Sequence, residues 1–282
     1  YGTLPTVART GYAFKGWSFV PNEYQQVEYI SSSGSQYINT GVAGGNSNLK
    51  IDIKYSWNAL PTSTSYASPF GSYSSEGYNT IRIINYGSGK TYYNHNQKAA
   101  NSYSADVTRS TSSIYVESLW RDNNVVYYQS NAFTSVASGT NPTAGTAYTG
   151  NIAVFAMGAG SSKASMKLYN MAIYDGSALV RNFVPCYRKS DGIVGLYDTV
   201  YGQFYVNDGS GSFTKGSDIY ITDTTTVTTA SSHTIYAHWT ANTYTIGYTL
   251  NGGAKGTNGP TSASYDQVVT ISNPSKTVTI TG

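Results

Sequence analysis

Four glutamates, Glu23, Glu28, Glu76 and Glu117, are the first side chains to weigh between residues 20 and 217. Hydrolysis of a glycosidic bond needs two carboxylates flanking it, about 5–5.5 Å apart in a retaining enzyme. No two of these four share one alternating strand, so the pattern argues against that reaction. The three histidines, His95, His233 and His238, come without a Gly-x-Ser-x-Gly turn, so a nucleophilic triad is equally unsupported. His233 and His238 sit in SSHTIYAHW, where an exposed position on a sheet explains them. One cysteine, Cys186, rules out an internal disulfide, and with dispersed histidines it gives no zinc-ligand spacing. In FVPCYRK it reads as a buried, inert thiol. Asp106, Asp122, Asp198 and Asp208 are the carboxylates a calcium ion would use, although turn aspartates do structural work everywhere. No enzyme is expected, and no cofactor beyond calcium has any support.

What remains is aromatic and amide-rich: 28 Tyr, 8 Phe and 4 Trp in 282 residues, with charged residues at only 11%. Sugars stack their CH-rich faces on such rings while Asn, Asp and Gln hydrogen-bond the hydroxyls, and no titrating group is needed. Tyr73, Tyr78, Tyr92, Tyr93, Asn94 and His95 are the candidate ligand-binding residues, because they fall near loops and strand ends. Trp57 and Trp120 lie on strands and read as packing. Exposed Tyr among Ser, Gly and Asn equally describes a protein-binding surface. Composition leaves glycan and host surface protein both open.

The elements that must position these groups are short strands. Leu49, Ile51, Ile53, Tyr55 and Trp57 alternate with Lys50, Asp52, Lys54 and Ser56, which gives one buried and one wet face. Residues 80–96 read as a hairpin turning at Gly87-Ser88-Gly89. A second hairpin spans 113–130, with Asp122-Asn123-Asn124 at its tip, where Asn tolerates left-handed geometry. Further strands are expected near 151–157, 165–174, 178–184, 193–197 and 203–206. No sustained helical period appears, and about a dozen such strands predict an all-β, two-sheet sandwich.

Net charge is +3 with scattered Lys and Arg, so there is no basic stripe for nucleic acid. No run of 18 apolar residues is present, so no membrane span is expected in this segment.

Residues 9–17, RTGYAFKGW, and 222–240, TDTTTVTTASSHTIYAHWT, resemble the middle and end of one Listeria–Bacteroides repeat, the internalin B-type, β-grasp-like module of bacterial surface proteins. The resemblance implies that Tyr12, Phe14 and Trp17 pack into a small core, with Gly11 and Gly16 supplying turn geometry. Residues 241–282 open a similar repeat, in which Tyr244, Ile246 and Tyr248 alternate. Between them, VEYISSSGSQYINTGV (27–42) and the stretch 166–216, from MKLYNMAIYDG to GSGSFTKG, resemble the entry and closing strands of laminin G-like, concanavalin A-type jelly rolls. The middle, about 58–150, matches little. These resemblances imply four segments: 1–19 as the first part of a split repeat, 20–217 as a jelly-roll sandwich, 218–240 as the closing part, and 241–282 as a second repeat. Phe19 and Asp218 should then lie close together. The expected setting is extracellular, on a cell or virion surface, with export signal and anchor outside this stretch. The expected role is an adhesin-like binding module for glycan or host surface protein. The alternative is a spacer or assembly subunit of a surface or phage fibre, touching neighbouring copies or repeats.

Overall fold

The computed structural model describes the chain except residues 63, 74, 76, 77, 88, 141, 147, 227–231, 258 and 272–282. It divides into two compact units, Phe19–Ile219 and a smaller one made of Tyr1–Ser18 with Tyr220–Gly282. The smaller unit begins with β1 (Tyr12–Ser18). The larger follows with β2 (Tyr24–Gln26), β3 (Ile30–Ser31), β4 (Ile38–Ala43), β5 (Leu49–Trp57), β6 (Tyr66–Ser72), β7 (Asn79–Tyr86), β8 (Lys90–Lys98) and β9 (Tyr103–Asp106). It continues with β10 (Ile114–Asp122), β11 (Val125–Ser130), β12 (Ala137–Thr140), β13 (Asn151–Val154), β14 (Met166–Asp175), β15 (Ala178–Arg188), β16 (Val194–Asp198), β17 (Gln203–Tyr205) and β18 (Thr214–Lys215). The smaller unit resumes with β19 (Tyr236–Ala241), β20 (Thr243–Thr245) and β21 (Ser262–Ser264). No helix among the described residues is long and apolar enough to cross a membrane.

The larger unit is an all-β sandwich of two antiparallel sheets. One runs β12-β11-β10-β5-β14-β15-β16-β17, with β2, β3 and β18 attached to its side. The other runs β4-β13-β6-β7-β8-β9. The alternation in β5 is realised as expected: Leu49, Ile51, Ile53, Tyr55 and Trp57 are all at most 2% exposed. They join one buried cluster with Leu119, Val126 and Tyr128 of the same sheet and Phe70, Ile81, Ile83 and Tyr93 of the facing one. Each large apolar side chain removed from water in this way contributes about 1.5–3 kcal/mol. In the β10–β11 hairpin Asp122 pairs with Val125. Asn123 takes φ 49°, the left-handed geometry its type allows.

The sandwich also buries a charge. Glu117 on β10 is 1% exposed and accepts from Arg109 Nη1 at 2.5 Å, the Tyr128 hydroxyl at 2.8 Å and Ser130 Oγ at 3.0 Å on Oε1. Its Oε2 accepts from the Tyr55 hydroxyl at 2.9 Å. Arg109 in turn donates to Tyr128 and Thr91, which brings the 107–113 loop over the end of the core. Burial opposes the Arg109 charge, but the Glu117 carboxylate and the two phenols hold its pKa above the ordinary value. Burial, with Glu117 nearby, pushes both phenols well up.

In the smaller unit β1 pairs with β19, with a register shift between Phe14 and Gly16. Gly16 has φ 150°, and a Cβ there would lie 2.7 Å from the Tyr220 side chain, so only glycine fits. Phe14 is 39% exposed and packs edge-on against Trp17 and Trp239 rather than inside a closed core. His238 departs from the expectation of an exposed histidine: it is 1% exposed, with its ring edge-on to Tyr220. Of the alternating Tyr244, Ile246 and Tyr248, only Tyr244 lies in a strand, β20, which pairs with β21.

Candidate functional site

Strand β8 carries four of the six candidate ligand residues, and the structure separates them. Tyr93 and His95 face the sandwich interior. The Tyr93 ring packs 5.2 Å from that of Tyr128, and His95 Nε2 donates to the Leu49 carbonyl at 2.5 Å. Burial lowers the His95 pKa to about 4, so the imidazole is neutral. Asn94 points to the opposite face, yet it is also covered. Its Oδ1 accepts from Arg82 Nε at 3.0 Å and Ser102 Oγ at 2.6 Å, and its Nδ2 donates to the Lys98 carbonyl at 3.2 Å. Tyr93, Asn94 and His95 are therefore not ligand contacts. They are 1%, 0% and 0% exposed, and both polar ends of the Asn94 amide have protein partners. Tyr92 is half-buried and sits in an aromatic row with Tyr86 (5.0 Å) and, beyond it, Tyr66 (5.2 Å).

Tyr73 and Tyr78 behave differently, because a residue the sequence did not single out brings them together. The Tyr148 hydroxyl donates to the Tyr73 carbonyl at 3.1 Å, and the Tyr78 ring meets that of Tyr148 edge-on at 6.0 Å. Behind them the Arg82 guanidinium lies 4.7 Å above the Tyr73 ring. Tyr148 itself opens onto a groove of about 230 Å³ lined by Tyr37, Asn39, Tyr148, Asn151 and Asp208, with Gly150, Gly158 and Ala159 as its backbone floor.

Separate segments build this groove. Tyr37 immediately precedes β4, Asn39 lies at its start, and Asn151 opens the neighbouring β13. Asp208 belongs to the Asn207-Asp208-Gly209 turn, which docks on β4. Asp208 N–H donates to the Tyr37 carbonyl (2.9 Å), Asn39 N–H to Asp208 Oδ2 (2.8 Å), and Tyr37 N–H to Asn207 Oδ1 (3.2 Å). Gly160, at φ 90°, lets the Tyr37 ring lie against the main chain, where a Cβ would stand 2.5 Å from it. Lys163 Nζ lies 5.7 Å from the same ring. Two half-buried phenol rings, two amides and one exposed carboxylate thus converge on one groove. That set offers stacking faces together with donors and acceptors to a polyhydroxylated ligand.

The four aspartates each have a local task. Asp106 pairs with Lys90 at 3.4 Å, and Asp122 accepts from Asn123 Nδ2 at 3.0 Å. Asp198 is fully buried, accepts from the Asn182 and Val200 N–H groups at 3.0 Å each, and pairs with Arg181 at 3.4 Å. Asp208 holds β4. Among the described residues no three of His, Cys, Asp or Glu stand close enough to share an ion. Of the four glutamates, Glu117 is consumed by its buried network, Glu23 and Glu28 are exposed, and Glu76 lies outside the described residues. Burial pushes the Cys186 thiol pKa up, as for an inert core group.

No protein-family model and no curated protein matches the chain. Among solved structures, Ruminococcus gnavus IT-sialidase CBM40 bound to alpha2,3 sialyllactose aligns at 13% identity and TM-score 0.41, over 53% of this chain and 91% of that one. A second structure of the same CBM40 gives 12% and 0.40. Leech intramolecular trans-sialidase aligns at 10% and 0.33, and the match spans 38% of that longer protein. The sandwich assignment rests on the strand order and shared core described above.

Proposed function

We propose that the Phe19–Ile219 sandwich is a non-catalytic glycan-binding module displayed on an extracellular surface, adhesin-like in role. The observation that carries this reading is the groove in which Tyr37, Tyr148, Asn39, Asn151 and Asp208 converge. Phenol faces and amides suit sugar rings, and among the described residues the groove's lining holds one carboxylate, Asp208, where glycoside hydrolysis uses two. The resemblance of residues 27–42 and 166–216 to laminin G-like strands, and of the flanking segments to surface-protein repeats, supports the same setting. A glycan array probed with the whole chain, with and without calcium, tests it. A selective set of bound glycans is expected, and a blank array in both conditions would overturn the proposal.

A second reading, a spacer or assembly subunit of a fibre, is favoured by one feature of the smaller unit. It exposes Val268 at 95%, Ile271 at 57% and Tyr244 at 51%. Apolar side chains this open suit contact with a neighbouring copy or repeat. Sedimentation of the whole chain over a concentration series distinguishes the two, because assembly predicts a mass that rises with concentration.

A further inference from the structure

The outer face of the larger sheet bears a second arrangement, built from strands that contribute nothing to the Tyr37–Tyr148 groove. Trp120 on β10 lies opposite Tyr127 on β11 and opposite Lys50 on β5, and Lys50 lies opposite Tyr174 on β14. These four alternate with Leu119, Val126, Tyr128, Ile51 and Ile173, which fill the core, so packing of the interior does not explain them. The Trp120 and Tyr127 rings stack with centroids 5.1 Å apart and planes 11° from parallel, which leaves each ring one face turned away from the other. Beside Trp120 lies a hollow of about 290 Å³ lined by Lys50, Ser118, Trp120 and Gln129. That is close to the lower end of the range, ~300–1,000 Å³, of small-molecule sites.

Charge in the hollow is balanced. Lys50 Nζ pairs with Asp52 at 3.1 Å, and Ser118 Oγ donates to the other Asp52 oxygen at 2.6 Å. An acidic ligand would have to compete with Asp52 for Lys50, whereas a neutral one keeps the pair. From Tyr127 to Tyr174 the row crosses three strand gaps, about 14 Å at the usual strand spacing. That span is too long for one sugar ring.

We propose that this face is a second saccharide site, centred on Trp120, which takes a neutral oligosaccharide: one sugar ring stacks on the indole while Ser118, Gln129 and Lys50 hydrogen-bond its hydroxyls. The experiment titrates the whole chain with cellohexaose, laminarihexaose, xylohexaose and N-acetylchitohexaose while the Trp120 indole N–H is followed by NMR. At least one of these is expected to shift that resonance, with affinity measured by calorimetry falling about tenfold or more in Trp120→Ala and unchanged in Arg188→Ala, an exposed position in neither site. Lys50→Ala and Gln129→Ala, at accessible positions, give a second reading should Trp120→Ala fail to fold. The proposal is overturned if no probe moves the Trp120 resonance, or if binding survives Trp120→Ala undiminished.

Discussion

Phe19 and Ile219, the first and last residues of the sandwich, are hydrogen-bonded to the same residue. Gln26 accepts the Phe19 N–H on Oε1 at 3.1 Å and the Ile219 N–H on its main-chain oxygen at 3.0 Å. Val27 next to it bridges Asp218. The chain therefore enters and leaves this unit at one point, the geometry a domain inserted into a host needs. Residues 19–219 alone are expected to unfold in one cooperative thermal transition. In the whole chain Gln26→Ala should lower the stability of this unit by about 1 kcal/mol, since it removes the side-chain acceptor of the Phe19 N–H. A broad, non-cooperative melt of the isolated segment would count against autonomy.

The buried pair should dominate the electrostatic contribution to stability. Arg109→Met leaves Glu117 charged and uncompensated in the core, which costs about 3–5 kcal/mol. Arg188→Ala removes an exposed partner of Asp191 and should leave the urea midpoint where it was. Equal midpoints for both variants would contradict the network as described.

Stability should fall with acid through His95. Its folded pKa, about 4, lies below the ordinary 6.5, so the unfolded chain binds the extra proton first. The contribution is complete above pH 6.5 and is lost as pH falls toward 4, about 3 kcal/mol in all. His95→Gln keeps a donor for the Leu49 carbonyl and should flatten that part of the curve. A slope identical to that of the parent chain would refute the assignment.

Cys186 should be silent toward a thiol reagent at pH 8 in the folded protein and react fully in denaturant, because it is 0% exposed with a raised pKa. Reaction in the native state at the rate of a free thiol would contradict its burial.

Much of this fold is legible in the residues because the alternation is local. The period of two in 49–57 identifies the buried set of β5, and Asn123 marks the tip of the β10–β11 hairpin. The expectation fails at β8, where Tyr93, Asn94 and His95 are all buried. One face packs on the opposite sheet, and on the other Arg82 and Ser102 cover Asn94, so the middle of the strand has no wet side. Nothing within a nine-residue window reports a roof built from elsewhere. The groove was hidden for the same reason: Tyr37, Tyr148 and Asp208 lie far apart in the chain and meet only once β4, β13 and the 207–209 turn are in place. Tyr73 and Tyr78 lie beside that groove, through their contacts with Tyr148. Trp120 reads as packing from its strand alone, and only the cross-strand register shows that it faces outward.

The measurement that bears most directly on the central claim is the affinity of the whole chain for the strongest glycan on an array, beside Tyr148→Ala, Tyr148→Phe and Tyr37→Ala. The groove predicts a loss of about five- to tenfold or more in each alanine variant, with most binding kept by Tyr148→Phe, which retains the ring. Undiminished binding by Tyr37→Ala and Tyr148→Ala would contradict it.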